Sequence, residues 1–587
     1  MCGIFGYVGK SNQAPSFVLE GLKRLEYRGY DSWGIAVKAG QQLLLEKHVG
    51  KIGGAHTLLP ASHLGIGHTR WATHGGVTDE NAHPHLDCTK TVAVVHNGII
   101  DNFQELKDML VKKGHKFVSE TDTEVIPHLI EEYLKIEGFA SSVRDAFNRL
   151  EGLNAIVTAY APSTEIIAAK TGSPLIVGIG PSGLFVASDA IGILPHTKKI
   201  IFLDDHQMVI LGKRVKVISL PVGHEITPKV QTVDWKFEEA EKGVFRHFLE
   251  KEIFEQPRII THIATNLDDS IETLARRVQD AFGTFFVGCG SAAHTALAGT
   301  YLFSRIAKKH VNFATGSEFC YLEDYLTPRS LVIAMSQSGE TIDVINPVNK
   351  AQEKGAHVTA IVNVLGSTLY RLADEKILLG VGTERAVIAT KSVIAMLAVL
   401  LLVVYSIVDE LPVGKKLLQQ AAADVSRVLR KNNLAKLRAL TKKLKKYEHI
   451  YLLGRGLSSV VALEAALKIK ETSYVHAEGF AGGDLKHGVI ALIEKGTPCI
   501  FFAPNDETYV DIISNAQEVK ARGGYIIGVG PKNNQVFDDW IETADLKEAT
   551  MLPQVVIAQL LSYYLALERG IEDPDKPRNL AKSVTVK

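Results

Sequence analysis

Cysteine is scarce in this chain: there are five in 587 residues, at positions 2, 88, 289, 320 and 499. Their odd number and wide scatter exclude a disulfide framework and the paired spacing of a zinc site, and a reducing cytosol suits them. Charge of one sign is also missing. With 65 basic and 65 acidic side chains no net field draws in a polyanion, so nucleic acid is not an expected partner. Long hydrophobic runs are absent as well. The nearest, Val393 to Val408, is interrupted by Tyr405 and Ser406 and falls short of the roughly 20 residues that span a bilayer, so it reads as a buried helix. The opening Met-Cys-Gly-Ile-Phe-Gly lacks the basic start and apolar stretch of a signal peptide, and a cytoplasmic protein without a membrane partner is expected.

What is present is length and apolar material. A chain of 587 residues, 46% hydrophobic, predicts three or four domains with substantial cores. Up to about Trp235, short apolar runs punctuated by glycine, such as Leu64 to Gly67, Thr91 to Val95 and Ile200 to Leu203, read as strands. After a charged stretch from Phe237 to Gln256, strand-like runs alternate with helical ones, the mark of parallel βαβ units. A boundary near residue 240 follows. The basic run from Lys431 to Lys446 carries Leu434, Leu437, Leu440 and Leu444 at helical spacing and reads as a solvated amphipathic helix.

The second region repeats itself. Phe285-Phe-Val-Gly-Cys-Gly-Ser291 is echoed about 166 residues later by Tyr451-Leu-Leu-Gly-Arg-Gly-Leu457, each a strand entering a Gly-x-Gly turn before a helix. Neither copy has the third glycine of a dinucleotide site, which counts against NAD. The strand Ser330 to Met335 runs into Ser336-Gln-Ser-Gly-Glu-Thr341 and then a helix. Three hydroxyls, an amide and free backbone N–H groups at a helix start suit a phosphate, the plainer alternative being a capped loop. The corresponding stretch, Pro498 to Thr508, lacks the serines and adds acids, so one half binds phosphate and the other contributes something else.

Cys2 alone would read as a small buried residue. If Met1 is removed, however, the thiol shares its residue with an α-amine of pKa about 7.7–8.0 that can serve as a local base. Three further segments match what such a thiol requires: His68-Thr-Arg-Trp-Ala-Thr-His-Gly75, His96-Asn-Gly-Ile-Ile-Asp-Asn102 and Ser119-Glu-Thr-Asp-Thr-Glu124. With Cys2-Gly-Ile and Glu26-Tyr-Arg-Gly-Tyr-Asp31, residues 2–235 resemble the glutaminase domain of the N-terminal-nucleophile amidotransferases. The resemblance implies that Cys2 attacks the glutamine carboxamide and that Asn97 and the Gly98 N–H form the oxyanion hole. It makes Arg70 the clamp on the substrate carboxylate, Asp122 the partner of its ammonium, and Trp71 a gating residue.

The second region specifies the acceptor. Ser336 to Thr341, Ala462-Leu-Glu-Ala-Ala-Leu-Lys-Ile-Lys-Glu471, Leu485-Lys-His-Gly488 and the tail Pro577 to Val586 resemble the glutamine–fructose-6-phosphate aminotransferase family. That resemblance implies an αββα N-terminal-nucleophile glutaminase domain (α+β) at 1–238, a linker at 239–250, sugar-isomerase (SIS) α/β domains with parallel sheets at 251–425 and 426–575, and a closing tail at 576–587. It implies glutamine and fructose 6-phosphate as substrates and ammonia passed between two sites in a homodimer. By the same resemblance His487 assists ring opening, Glu471 shuttles a proton between carbons, Lys468 assists at the enolic oxygen and Lys582 forms an imine. Ser336, Gln337, Ser338, Thr341, Ser291, Val387 and Ala581 are expected around the sugar phosphate. No cofactor is expected, because ammonia carries the nitrogen, and no metal or nucleotide site is read.

Two positions depart from the family pattern: Ala292 and Ala389 stand where hydroxyl residues usually face the sugar. Either two contacts worth about 0.5–1.5 kcal/mol each are lost, or Ser291 and Thr390 take their place. A sugar-phosphate isomerase or deglycase with a vestigial glutaminase, and a non-catalytic sugar-phosphate sensor, are the competing readings. Phosphoribosyl amination is weaker, since no acidic pyrophosphate loop is found.

Overall fold

The computed structural model describes residues 2–233 and 242–584. Two compact units emerge, Met1–Glu241 together with Ala581–Lys587, and Lys242–Leu580. Residues 239–241 of the expected linker lie outside the described residues, and helix Phe248–Phe254 begins inside its remainder.

In the first unit an eight-stranded and a seven-stranded antiparallel sheet lie face to face. Strand alternation explains the layering. In Val92–Asn97, Ala93 and Val95 point into the core between the sheets, while Val92 and Val94 point the other way. There they meet Leu106 and Leu110 of helix Phe103–Lys112, Ile126 and Leu129 of Val125–Leu134, and Val143 of Phe139–Phe147. On the eight-stranded sheet, strand Gly3–Gly9 sends Ile4 and Val8 inward, and its Phe5 lies against Gly21 of helix Ala14–Leu25, where a Cβ would be only 2.4 Å from the ring. Helix, sheet, sheet and helix follow in turn, the αββα arrangement expected. The strands predicted at Leu64–Gly67, Thr91–Val95 and Ile200–Leu203 form as Leu64–Arg70, Val92–Asn97 and Lys199–Phe202.

The second unit holds two five-stranded parallel sheets. The first runs Asn312–Thr315, Gly283–Gly288, Ser330–Ser336, His357–Val362, Glu375–Leu378. The second runs His476–Ala481, His449–Gly454, Pro498–Phe502, Tyr525–Gly530, Asp539–Glu542 in the same order. The repeat extends to backbone angles. Gly290 has φ 55° and ψ −128°, and Gly456 has φ 56° and ψ −130°. Both occupy a conformation that only glycine adopts without strain.

One continuous core joins the two halves, built on helices Lys391–Ile407 and Met551–Glu568. This is why those helices are apolar on every face. The first is the segment read as a buried helix. The second belongs to the one described helix, Lys547–Glu568, that is long and apolar enough to cross a membrane, and 94% of its apolar window is buried in the protein. Helix Lys431–Leu444 forms as predicted, with Leu437, Leu440 and Leu444 buried and its lysines on the outer face.

Candidate active sites

The first site forms where strand ends from both sheets of the first unit meet. Pairing of Gly3 with Thr69 brings Cys2 alongside Arg70 and Trp71, the end and continuation of strand Leu64–Arg70. The Trp71 N–H donates to Cys2 Sγ at 3.2 Å, and the indole packs edge-on against Tyr30. From the other sheet Asn97 donates through Nδ2 to the Cys2 carbonyl at 3.1 Å, and Arg28 Nε donates to the same oxygen at 3.2 Å.

Asn97 is held in one orientation. His68 Nε2 lies 3.1 Å from Asn97 Oδ1 and 2.9 Å from the His96 carbonyl, both acceptors, so this nitrogen carries the proton. Burial depresses the His68 pKa to about 3, and the ring stays neutral. The amide oxygen is thereby occupied and its NH₂ faces Cys2. His68 is a positioning residue that sequence reasoning passed over, although it sits in the quoted His68–Gly75 segment.

Gly98 has φ +143°, and a Cβ there would lie 2.4 Å from the Leu153 carbonyl oxygen, so only glycine fits. Asp122 opens a short turn before helix Val125–Leu134, and its Oδ2 accepts the Ile100 N–H at 2.9 Å. Arg70 is buried, donates to the carbonyls of Gly76 (3.0 Å) and His74 (2.5 Å), and feels the charges of Cys2, Asp31 and Asp122. It organises the 74–76 loop while supplying the positive charge of the site. Burial pushes the Cys2 thiol above its ordinary value, with the Trp71 N–H, Arg70 and Arg28 pulling the other way. A thiol so placed needs a base to become a nucleophile. The structure thus brings Cys2, Arg70, Trp71, Asn97, Gly98 and Asp122 together.

The second site lies in the second unit. Neighbouring strands Gly283–Gly288 and Ser330–Ser336 end where the chain turns to opposite sides of the sheet, the crevice at which such sheets bind ligands. Ser291 starts the helix after one strand, and Ser336 to Thr341 link the other to helix Ile342–Glu353. The loop is braced from within: Ser336 Oγ accepts the Gly339 N–H at 3.0 Å and lies 3.1 Å from Thr341 Oγ1, and Ser338 Oγ accepts the Glu340 N–H. Gln337 is tied through its carbonyl to the Asn363 N–H. Gly339, at φ +64°, would drive a Cβ to 2.1 Å from Ser367 Oγ. Glu340 turns away, its carboxylate accepting from the Thr368 N–H and hydroxyl at 2.8 Å. The acid in the motif therefore serves the fold.

Helix Leu457–Ser473 carries Lys468 and Glu471. Lys468 is 1% exposed; its Nζ lies 2.6 Å from Glu471, 3.5 Å from Glu464 and 3.3 Å from the Ala389 carbonyl. His294, from the helix Ser291–Leu302 of the other half, reaches Glu464 at 2.7 Å. Burial opposes the Lys468 charge, but Glu471 and Glu464 outweigh it and raise the pKa, so the ammonium persists. Glu471 is raised by burial against the pull of Lys468, and Glu464 is lowered because Lys468 and His294 overcome its burial. A carboxyl shifted upward beside a permanent cation suits proton transfer. Sequence reasoning missed His294 and Glu464, although Glu464 lay inside the quoted helix segment, one turn before Lys468.

The remaining residues are placed as follows. Val387 donates its N–H to the Asp575 carbonyl at 2.8 Å, and Thr390 is fully buried. The tail is anchored on this unit by the Arg578 guanidinium over the Tyr474 ring and by the Arg578 N–H to Tyr474 Oη at 2.9 Å. Ala581 and Lys582 follow in the segment grouped with the first unit. His487 is exposed at the end of the turn Asp484–His487, and no hydrogen bond or ion pair joins it to Lys468 or Glu471 among the described residues.

Comparison with known proteins identifies the domains and the family. A glutamine amidotransferase domain model matches residues 68–195, and a SIS domain model matches twice, at 280–406 and 443–569. The glutamine–fructose-6-phosphate aminotransferases (isomerizing) of Pyrococcus horikoshii and Thermococcus kodakarensis are 43% and 42% identical to this chain over the full length of both partners. The C-terminal domain of glucosamine-fructose-6-phosphate aminotransferase from Francisella tularensis covers 56% of this chain and 98% of its own, at 29% identity and a TM-score of 0.52. The chain belongs to the glutamine–fructose-6-phosphate aminotransferase (isomerizing) family.

Proposed function

We propose that the protein converts fructose 6-phosphate and glutamine into glucosamine 6-phosphate and glutamate. The observation that carries this reading is the presence in one chain of Cys2, with its carbonyl held by Asn97 Nδ2, and of a buried Lys468 paired with Glu471 in the same unit as the self-braced Ser336–Thr341 loop. Glutamine enters between Arg70 and Asp122, which match its carboxylate and ammonium. After loss of Met1 the α-amine takes the thiol proton, Cys2 attacks the carboxamide carbon, and the Asn97 NH₂ and Gly98 N–H meet the developing oxyanion. Ammonia leaves, and water releases glutamate from the thioester. Trp71 gates the passage of ammonia, which must stay shielded from water to remain an unprotonated nucleophile.

At the sugar site, Ser336, Gln337, Ser338 and Thr341 hold the phosphate, with Ser291, Val387 and Ala581 bordering the sugar. His487 assists ring opening, and Lys582 forms an imine with the open-chain ketose. Lys468, kept charged by its two carboxylates, is ill suited to attack a carbonyl and well suited to steady an enolic oxygen. Glu471 moves the proton between C2 and C1. His487 stands exposed on its own chain, and a homodimer that presents it to a second copy's site completes the set. The setting is cytoplasmic, at the entry to UDP-N-acetylglucosamine synthesis.

The test is a coupled assay with wild type, Cys2→Ala and Lys582→Ala. Wild type forms hexosamine phosphate only with glutamine. Cys2→Ala loses glutamine use while retaining isomerisation, and Lys582→Ala loses synthesis while retaining glutamine hydrolysis. Glutamine-independent turnover unchanged by Cys2→Ala would instead favour an isomerase with an idle glutaminase.

A further inference from the structure

Away from both sites, four electron-rich side chains converge on the outside of the first unit. Cys88 comes from the turn after strand His85–Leu86, His115 from the loop after helix Phe103–Lys112, and His128 and Glu131 from successive turns of helix Val125–Leu134. Cys88 Sγ is 3.7 Å from His115 Nδ1 and 3.6 Å from His128 Nδ1. The two Nδ1 atoms are 3.3 Å apart, and Glu131 Oε2 is 3.1 Å from the first and 3.5 Å from the second.

These five separations match edges of a tetrahedron around a metal ion, and the sixth, from Cys88 to Glu131, is no longer than 4.8 Å. With Zn–S about 2.3 Å and Zn–N or Zn–O about 2.0–2.2 Å, tetrahedral angles put sulfur about 3.6 Å from nitrogen, and nitrogen about 3.3 Å from nitrogen or oxygen. The outward ring atoms face carboxylates. His115 Nε2 is 2.9 Å from Glu132, which only accepts, so a proton sits there and Nδ1 is the ring atom left to face the cluster. His128 Nε2 also faces a carboxylate, Glu124, at 3.7 Å, beyond hydrogen-bond range. The Lys116 N–H points at Cys88 Sγ at 3.5 Å, and the Cys88 N–H donates to Glu131 Oε2 at 3.1 Å. With both Nδ1 atoms and the thiol deprotonated, as metal ligands are, the two lone pairs, the carboxylate oxygen and the sulfur are held together by the cation between them.

We propose that Cys88, His115, His128 and Glu131 form a structural zinc site. All four ligand positions are filled by protein, which distinguishes it from a catalytic site with an open position, and the mixed sulfur, nitrogen and oxygen set in tetrahedral array favours Zn²⁺. Binding takes the thiol proton to solvent and leaves the thiolate on the metal. The ion would tie three separated segments together. One of them runs directly into the turn that carries Asp122, because Glu124, behind His128, also accepts the Val118 and Ser119 N–H groups at 2.7 and 2.6 Å.

The test uses the full-length protein. Elemental analysis after extensive dialysis is expected to find about one zinc per chain in wild type and a loss of at least tenfold in Cys88→Ala. Wild type stripped with a chelator and given Co²⁺ is expected to show a thiolate-to-cobalt charge-transfer band and intense tetrahedral d–d bands. Stripping should also lower the temperature of its first unfolding transition. A folded wild-type chain with substoichiometric metal and no cobalt–thiolate band overturns the proposal, as does full metal retention in Cys88→Ala. The cobalt spectrum is read on wild type, so the outcome does not depend on the variant folding.

Discussion

Replacing Lys468 with methionine removes one charge while keeping an unbranched side chain one atom shorter, and it tests the electrostatic account of the second site. Lys468 is 1% exposed and Glu464 is 2% exposed, so the cation cannot be replaced by water. Breaking a buried pair from one side costs about 3–5 kcal/mol, because the partner charge is left in a medium that solvates it poorly. Here two carboxylates are left, Glu471 at 2.6 Å and Glu464 at 3.5 Å. In the variant both acids should titrate above their unfolded value of about 4.3. A folded-state acid with a raised pKa binds its proton more tightly than the unfolded chain does, so stability is favoured at low pH and lost as pH rises through the folded value. The deficit relative to wild type should therefore be largest near pH 8 and shrink toward pH 5. Because a multidomain chain does not unfold in one step, urea melts should be followed by hydrogen exchange of peptides from Leu457–Ser473. Adding Glu464→Gln and Glu471→Gln to Lys468→Met should recover most of the loss. A deficit below about 1 kcal/mol at pH 8, or one that does not vary with pH, would refute the reasoning.

Gly98→Ala should lower glutamine hydrolysis by about 10²–10³, the usual cost of losing one oxyanion donor, because its Cβ meets the Leu153 oxygen and displaces the N–H. Unchanged glutaminase kinetics would remove Gly98 from the oxyanion hole. The first unit should be acid-labile. Burial holds His68 near 3, His83 and His85 well below their ordinary range, and His96 below it. Each must stay neutral in the fold, so stability is complete above the unfolded value of about 6.5 and falls by up to about 1.4 kcal/mol per pH unit per histidine below it. Near-ultraviolet circular dichroism combined with urea melts from pH 7 to 5 checks this, and a flat profile contradicts it. Asp575→Ala should destabilise the docking of helix Phe248–Phe254 by about 0.5–2 kcal/mol. Its carboxylate accepts the Phe248 and Leu249 N–H groups at 2.8 and 2.7 Å, which faster exchange of those amides would report.

Local features of this protein were legible in its sequence because they depend on few neighbours. Strand alternation at Val92 to Asn97, the amphipathic spacing of Leu437, Leu440 and Leu444, and the two Gly-x-Gly turns all follow from pitch, pleat and backbone sterics. So does the Ser336 to Thr341 loop, whose residue types match the geometry of a helix N-terminus. Tertiary structure decided what depends on distance through space. It showed that the two repeated halves share one core, because two all-round apolar helices can be covered only by both sheets. It brought His294 to Glu464 across 170 residues, and set His68 behind Asn97, where a neutral ring fixes the orientation of an amide. It also brought together Cys88, His115, His128 and Glu131, whose uneven spacing matches no metal motif, because a loop turn, a helix end and a helix face meet only when the chain is folded.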